Sequence, residues 1–135
     1  MHTLHTEGRP VSFKPDGWNE IRDTVRARAA SEDSDVVVAR FGDEIVGVAI
    51  IKYIHRPESS FRPAEDFCHI EEFGVDEKYR RRGIATALVG FIRKHASGQG
   101  LKKLNLDVYQ FNKEALMFYE SAGFRTYRRD LELGI

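Results

Sequence analysis

Val75-Asp76-Glu77-Lys78-Tyr79-Arg80-Arg81-Arg82-Gly83-Ile84-Ala85-Thr86-Ala87-Leu88 joins a β-rich run to an apolar helix through a basic turn that contains a glycine. A strand feeding such a turn builds an anion cradle. Unpaired N–H groups at the helix start face outward, and the helix dipole adds about half a positive charge there. Gly83 and Ala85 are small enough to let a phosphate approach the backbone, and Arg80, Arg81 and Arg82 raise the local potential. Neither G-x-x-x-x-G-K-[ST] nor G-x-G-x-x-G is present, which sets aside the two common nucleotide loops. The same residues also fit an exposed, basic helix start that holds no ligand.

Working outward, Phe67–Val75 reads as the strand that enters this turn and Gly83–Ala96 as the helix that leaves it, with Ile84, Leu88, Phe91, Ile92 and His95 at helical spacing. Upstream, Asp35–Phe41 and Ile45–Ile54 are β-rich runs joined by Gly42-Asp43-Glu44, the pattern of a hairpin. His55–Asp66 holds Pro57, Ser59, Ser60 and Pro63 and reads as a loop. Pro15 and Asp16 look like a helix start, followed by Trp18, Ile21, Val25 and Ala29. Met1–Ser12 shows no clear period, which suits a frayed end or a short edge strand. Downstream, Leu104, Leu106 and Val108 alternate with polar residues as a strand over Lys103–Tyr109. Asn112 caps a helix over Lys113–Ser121, Gly123 stands at its C′ position, and Phe124–Leu133 reads as a last strand. This order predicts an α/β (α+β) sandwich with helices on a mixed sheet.

The chain has 135 residues, 41% hydrophobic and 31% charged, which predicts a single domain, 1–135, with its own core. No stretch approaches the roughly 20 apolar residues of a membrane span, and no secretory h-region is visible. Cys68 is the single cysteine, which suits a reducing, cytoplasmic setting. Lys plus Arg and Asp plus Glu each number 21, so a whole-surface nucleic-acid binder is not expected. The balance is uneven locally. Pro57–Val75 holds five acids against Arg62, whereas Asp76–Lys103 holds eight bases against Asp76 and Glu77. A basic half suits a polyphosphate, and an acidic approach suits a cation.

Arg80-x-x-Gly83-x-Ala85 after a strand ending in Val75 resembles the acyl-coenzyme-A pyrophosphate motif of the GNAT superfamily of N-acetyltransferases. About thirty residues later, Asn112-x-x-Ala115-x-x-x-Tyr119-x-x-x-Gly123-Phe124 is similar to that family's second hallmark. The likeness covers Asp35 to the C-terminus, with Ala85 standing at the last motif glycine. Only 34 residues precede Asp35, where the family usually carries a strand and two helices, so the N-terminal part is atypically short.

The resemblance implies a mostly antiparallel, twisted GNAT-like sheet that splays between its central strands. It also implies acetyl-coenzyme A as co-substrate, lying where Phe67–Val75 parts from Lys103–Tyr109. Phe73 and Val75 would pair with the pantetheine arm, and the Val75 N–H is an oxyanion donor for the thioester. Arg80, Arg81, Arg82, Gly83, Ile84, Ala85 and Thr86 would wrap the pyrophosphate, mainly through main-chain N–H groups. Asn112 caps its helix and contacts the arm. Tyr119 would protonate the departing thiolate, although a core aromatic would read the same.

Acyl transfer needs a neutral amine, and a lysine-like amine has a reference pKa near 10.4. Glu71 is the expected base or water-holder, with His69 in the relay; simple alternation gives Glu71 one face with His69, Phe73 and Val75. An ordinary solvent-facing Glu71 is the alternative. Cys68 and His95 read as packing residues, and the five histidines show no metal-ligand spacing. Tyr109 stands where it would touch cofactor or substrate. The expected activity is direct acetyl transfer to a primary amine of a small molecule or peptide. The alternative is a non-catalytic acyl-coenzyme-A sensor. No metal, nucleic acid or membrane partner is expected, and a homodimer is left open.

Overall fold

β-branched residues dominate Val36–Val38 and Ile45–Ile51, and both runs become strands of one sheet. The computed structural model describes residues 33–135 and the backbone of residues 2–7. The strands are β1 (His2–Glu7), β2 (Ser34–Phe41), β3 (Glu44–Arg56), β4 (Glu65–Val75) and β5 (Leu104–Leu106). They lie in the order β1-β2-β3-β4-β5, antiparallel throughout except for the parallel β4–β5 pair. Phe41 pairs with Glu44 across the two-residue turn Gly42-Asp43, and Gly42 takes φ +63°, which a primed hairpin turn requires. β1, at the end of the strand order, is the short edge strand that an aperiodic N-terminal segment allows. The helix expected from Pro15 to Ala29 lies outside the described residues.

Two helices follow β4 in the described chain: α1 (Ile84–Gly98) and α2 (Lys113–Ser121). Helix α1 buries Ile84, Leu88, Val89, Ile92 and Ala96. Four of these five, all but Val89, pack with Val37, Ala39, Ala49, Ile51, Cys68 and Ile70 in the main core. Val36, Val38, Val48 and Ile50 form a second cluster on the opposite sheet face. Gly47 fixes how closely α1 approaches. A Cβ there would stand 3.0 Å from both Ile84 Cγ2 and Leu88 Cδ1. Among the described residues no helix is long and apolar enough to cross a membrane.

Three expectations are corrected. β3 runs to Arg56 and β4 begins at Glu65, because the pairs His55–Asp66 and Arg56–Glu65 extend the ladder into the expected loop. β5 keeps only Leu104–Leu106 of the expected Lys103–Tyr109. Phe124–Leu133 is not a strand. Its alternation is genuine, but pairing needs an edge, and β5 forms three rungs, all with β4. Leu131 and Leu133 therefore stand in solvent, 92% and 87% exposed.

Candidate functional site

The three β4–β5 rungs are Cys68–Leu104, His69–Asn105 and Ile70–Leu106. Beyond Ile70, β4 continues to Val75 while β5 has ended. The strands thus part as the sequence reading expected, and Glu71–Val75 forms one wall of a fork about 16 Å long at 3.3 Å per residue. Antiparallel alternation decides which backbone groups face it. The Asp76 N–H donates to the Val46 carbonyl at 2.8 Å, so Gly74–Val48 is the next hydrogen-bonded pair. Phe73–Ala49 and Val75–Gly47 are the non-hydrogen-bonded ones. The main-chain N–H and C=O of Phe73 and Val75 therefore point away from β3 and into the fork.

At the fork's mouth, Asp76 caps a 3-10 turn over Glu77–Tyr79 by accepting from the Lys78 N–H at 3.0 Å. Arg81 and Gly83 then both take positive φ, 64° and 79°. The left-handed conformation costs a non-glycine residue about 1–2 kcal/mol, and alternating hand lets successive N–H groups line a concavity. Gly83 offers α1 no side-chain cap. The first intrahelical bond is Ala87 N–H to Gly83 carbonyl, at 2.9 Å, so the N–H groups of Ile84, Ala85 and Thr86 precede it and face outward. Arg80, Arg81 and Arg82 are exposed around this end. The Arg82 guanidinium lies 5.3 Å from the Tyr79 ring centre, and the Tyr79 hydroxyl donates to Glu44 Oε2 at 2.8 Å.

Asn112 caps α2, its Oδ1 accepting from the Ala115 N–H at 3.2 Å. Gly123 at φ +105° and the bond from Phe124 N–H to Tyr119 carbonyl, 3.0 Å, close the other end. The two caps aim the helix so that Tyr119 meets Phe73, ring centres 5.9 Å apart. Phe118 stacks on the same ring at 6.0 Å, and Phe124 stands edge-on to Tyr119 at 5.6 Å. Burial pushes the Tyr119 hydroxyl above the ordinary tyrosine range, so it holds its proton at neutral pH. That protonation state suits a donor.

The face assignment of Glu71 is corrected. The β3–β4 register shifts between Ile50 and Ile51, which pair with Glu72 and Ile70, so Glu71 is the extra residue of a β-bulge. Phe73 and Val75 pack toward the main core with Ile70, whereas His69 and Glu72 lie opposite Lys52 and Ile50, on the other face. Cys68 is fully buried and His95 half-buried, as expected of packing residues. Tyr109 is 76% exposed and stacks on Phe111 at 5.2 Å.

Two features escaped the sequence reading. Asn105 is a buried polar residue between Leu104 and Leu106, and it meets His69. Its polar type inside an apolar run was the available signal. The other is a cluster that ties α1 to the sheet. The Tyr53 hydroxyl donates to Asp35 Oδ2 at 2.5 Å and lies 2.9 Å from His95 Nε2.

A model of the acetyltransferase (GNAT) family matches residues 1–124. A histone acetyltransferase of Arabidopsis thaliana is 32% identical over 97 residues, 64% of this chain and 39% of that protein. The chain spans between 36% and 51% of the length of the curated relatives it matches. A tetramutant protein of Bacillus halodurans has a TM-score of 0.78 at 28% identity, over 84% of this chain and 72% of that one. The aminoglycoside acetyltransferase AAC(6')-Iy, solved with the bisubstrate analogue CoA-S-monomethyl-acetylneamine, has a TM-score of 0.77 at 11% identity. It covers 100% of this chain and 98% of that one, a likeness of fold.

Proposed function

The chain belongs to the acetyltransferase (GNAT) family, and on that premise we propose that it transfers an acetyl group from acetyl-coenzyme A to a primary amine of a small molecule or peptide. The observation that carries this reading is the fork: an open β4 wall ends at a helix start whose N–H groups are uncapped. A linear arm carrying a diphosphate at one end fits that pairing of features. Ile84, Ala85 and Thr86 N–H groups, with Gly83 and Arg80–Arg82 around them, would hold the diphosphate. Phe73 and Val75 would pair with the arm's amides, as an added strand does. Phe73, one step nearer the closed end, is the better-placed N–H for the thioester oxygen, and Val75 takes an amide.

Acetyl-coenzyme A supplies an activated acyl thioester. Glu71, at the bulge, serves as base or water-holder for the amine proton. The amine nitrogen bonds to the acyl carbon and the carbon–sulfur bond breaks. Tyr119 then returns a proton to the thiolate. A thiol of reference pKa about 8.5 leaves readily, so the Tyr119 contribution is modest. Asn112 supports this as the cap that aims α2.

The acids of Glu58–Glu72 favour a cationic acceptor by attraction. We read residues 1–135 as one catalytic domain, and the lone, buried Cys68 supports a reducing cytoplasm. The exposed Leu131, Leu133 and Ile135 support self-association as a homodimer. An amine panel assayed for free thiol tests the activity. Thiol release that requires both acetyl-coenzyme A and a primary amine supports it. Binding of coenzyme A with no release across cationic, neutral and acidic amines contradicts it.

A further inference from the structure

His69 and Asn105 form the second-last rung before β4 and β5 part. With the diphosphate end at Gly83 and the arm laid along Glu71–Val75, the reacting end of a bound thioester reaches the closed end of the fork, beside this rung. His69 Nδ1 stands 2.5 Å from Asn105 Oδ1, and Asn105 Nδ2 donates to the Tyr127 hydroxyl at 3.5 Å. That amide orientation leaves the ring an oxygen, which cannot donate, so Nδ1 carries a proton. The lone pair of the neutral ring is then on Nε2. Nε2 lies 3.5 Å from Asp107 Oδ2, a carboxylate 76% exposed, while the His69 side chain is 22% exposed. A nearly buried amide fixes the tautomer, and a solvated carboxylate stands beside Nε2.

We propose that His69 is the proton acceptor of the transfer reaction, with Asn105 and Asp107 as its positioning residues. This inference rests on the acetyltransferase reading. The ammonium of the incoming amine gives a proton to Nε2, directly or through a water held by Glu71. The ring becomes an imidazolium facing Asp107, and the proton then passes to solvent. An imidazole, reference pKa about 6.5, is a better base near neutral pH than a carboxylate at about 4.3. Other charged groups bear on the ring among the described residues. Lys52 on β3 is its cross-strand neighbour, and Glu71 and Glu72 follow it on β4. Lys103, just before β5, is already engaged by Glu65 at 2.7 Å.

The test is kinetic and uses the full chain. His69→Gln is expected to lower kcat/KM by about 10²–10³-fold and to abolish the acid limb of its pH profile, with coenzyme A affinity unchanged. Asp107→Asn, on an exposed residue, is expected to lower kcat/KM by a smaller factor, with Asp107→Glu restoring most of the loss and coenzyme A affinity unchanged in both. A His69→Gln enzyme that keeps the wild-type limb overturns the proposal. So does an Asp107→Asn enzyme with wild-type kcat/KM. A wild type that binds coenzyme A and turns over no amine overturns the acetyltransferase reading instead.

Discussion

The ring of Tyr119 on α2 stands edge-on to the ring of Phe73 on β4, centres 5.9 Å apart and planes at 66°. This contact ties the helix carrying the proposed proton donor to the strand that lines the fork. Tyr119→Phe keeps the ring and its packing and removes the hydroxyl. The expected result is a fall in kcat of about 10–10³-fold, with coenzyme A affinity and melting temperature little changed. Unchanged turnover between pH 7 and 9 would remove Tyr119 from the mechanism and leave it as a core aromatic.

Gly47 sets the seating of α1, and so of the proposed diphosphate site at its start. Gly47→Val adds atoms where even a Cβ meets Ile84 and Leu88 at 3.0 Å. Overpacking of this kind costs about 1–3 kcal/mol. Lower thermal stability together with weaker coenzyme A binding by calorimetry is expected. Wild-type affinity in this variant would mean that α1 moves without disturbing the site.

Asn112→Ala deletes the bond to the Ala115 N–H. Losing such a cap costs about 1 kcal/mol, a fall in Tm of about 3–6 °C for a chain of this size. Asn112→Asp keeps an acceptor and should restore most of the loss. A coenzyme A affinity that falls in both variants would add direct contact with the arm to the capping role.

Cys68 gives a pH dependence with a definite sign. Burial, aided by the Asp35 charge, pushes its thiol up to about 12, while in the unfolded chain it titrates near 8.5. Between those values the native state holds a proton that the unfolded state has lost, so stability falls as pH rises, by at most about 1.4 kcal/mol per unit. Burial raises Tyr53 and Tyr119 too, and both add to the decline above about pH 10. Urea midpoints measured from pH 7.5 to 10 should drop in the wild type and drop less steeply in Cys68→Ala. Equal slopes would show that the thiol carries no part of the effect.

Local signals with one physical meaning were readable directly. The Asn112 cap, the Gly123 C′ position, the Gly42-Asp43 turn and the Gly83 helix start each depend on neighbours within a few residues. Features set by pairing between distant segments were not. The bulge at Glu71 exists because β3 and β4 must match over both ends of a long ladder, and it overrides the alternation that put Glu71 on one face with Phe73. The tail has a strand pattern, yet the edge nearest to it in the sheet order, the outer side of β5, is only three residues long. His69 was visible as a residue of interest. Asn105 and Asp107, which define its chemistry, lie 36 and 38 positions later and meet it only through the parallel rung.

In the proposed complex the diphosphate rests on the start of α1 and the arm runs along Phe73 and Val75. Residue-resolved amide hydrogen exchange, with and without coenzyme A, tests this most directly. Slower exchange at Phe73, Val75, Ile84, Ala85 and Thr86, with Gly74 already slow through its pairing with Val48, is the expected result. Saturating coenzyme A that protects none of these amides, or protects a different face of the sheet, would rule out this placement of the coenzyme.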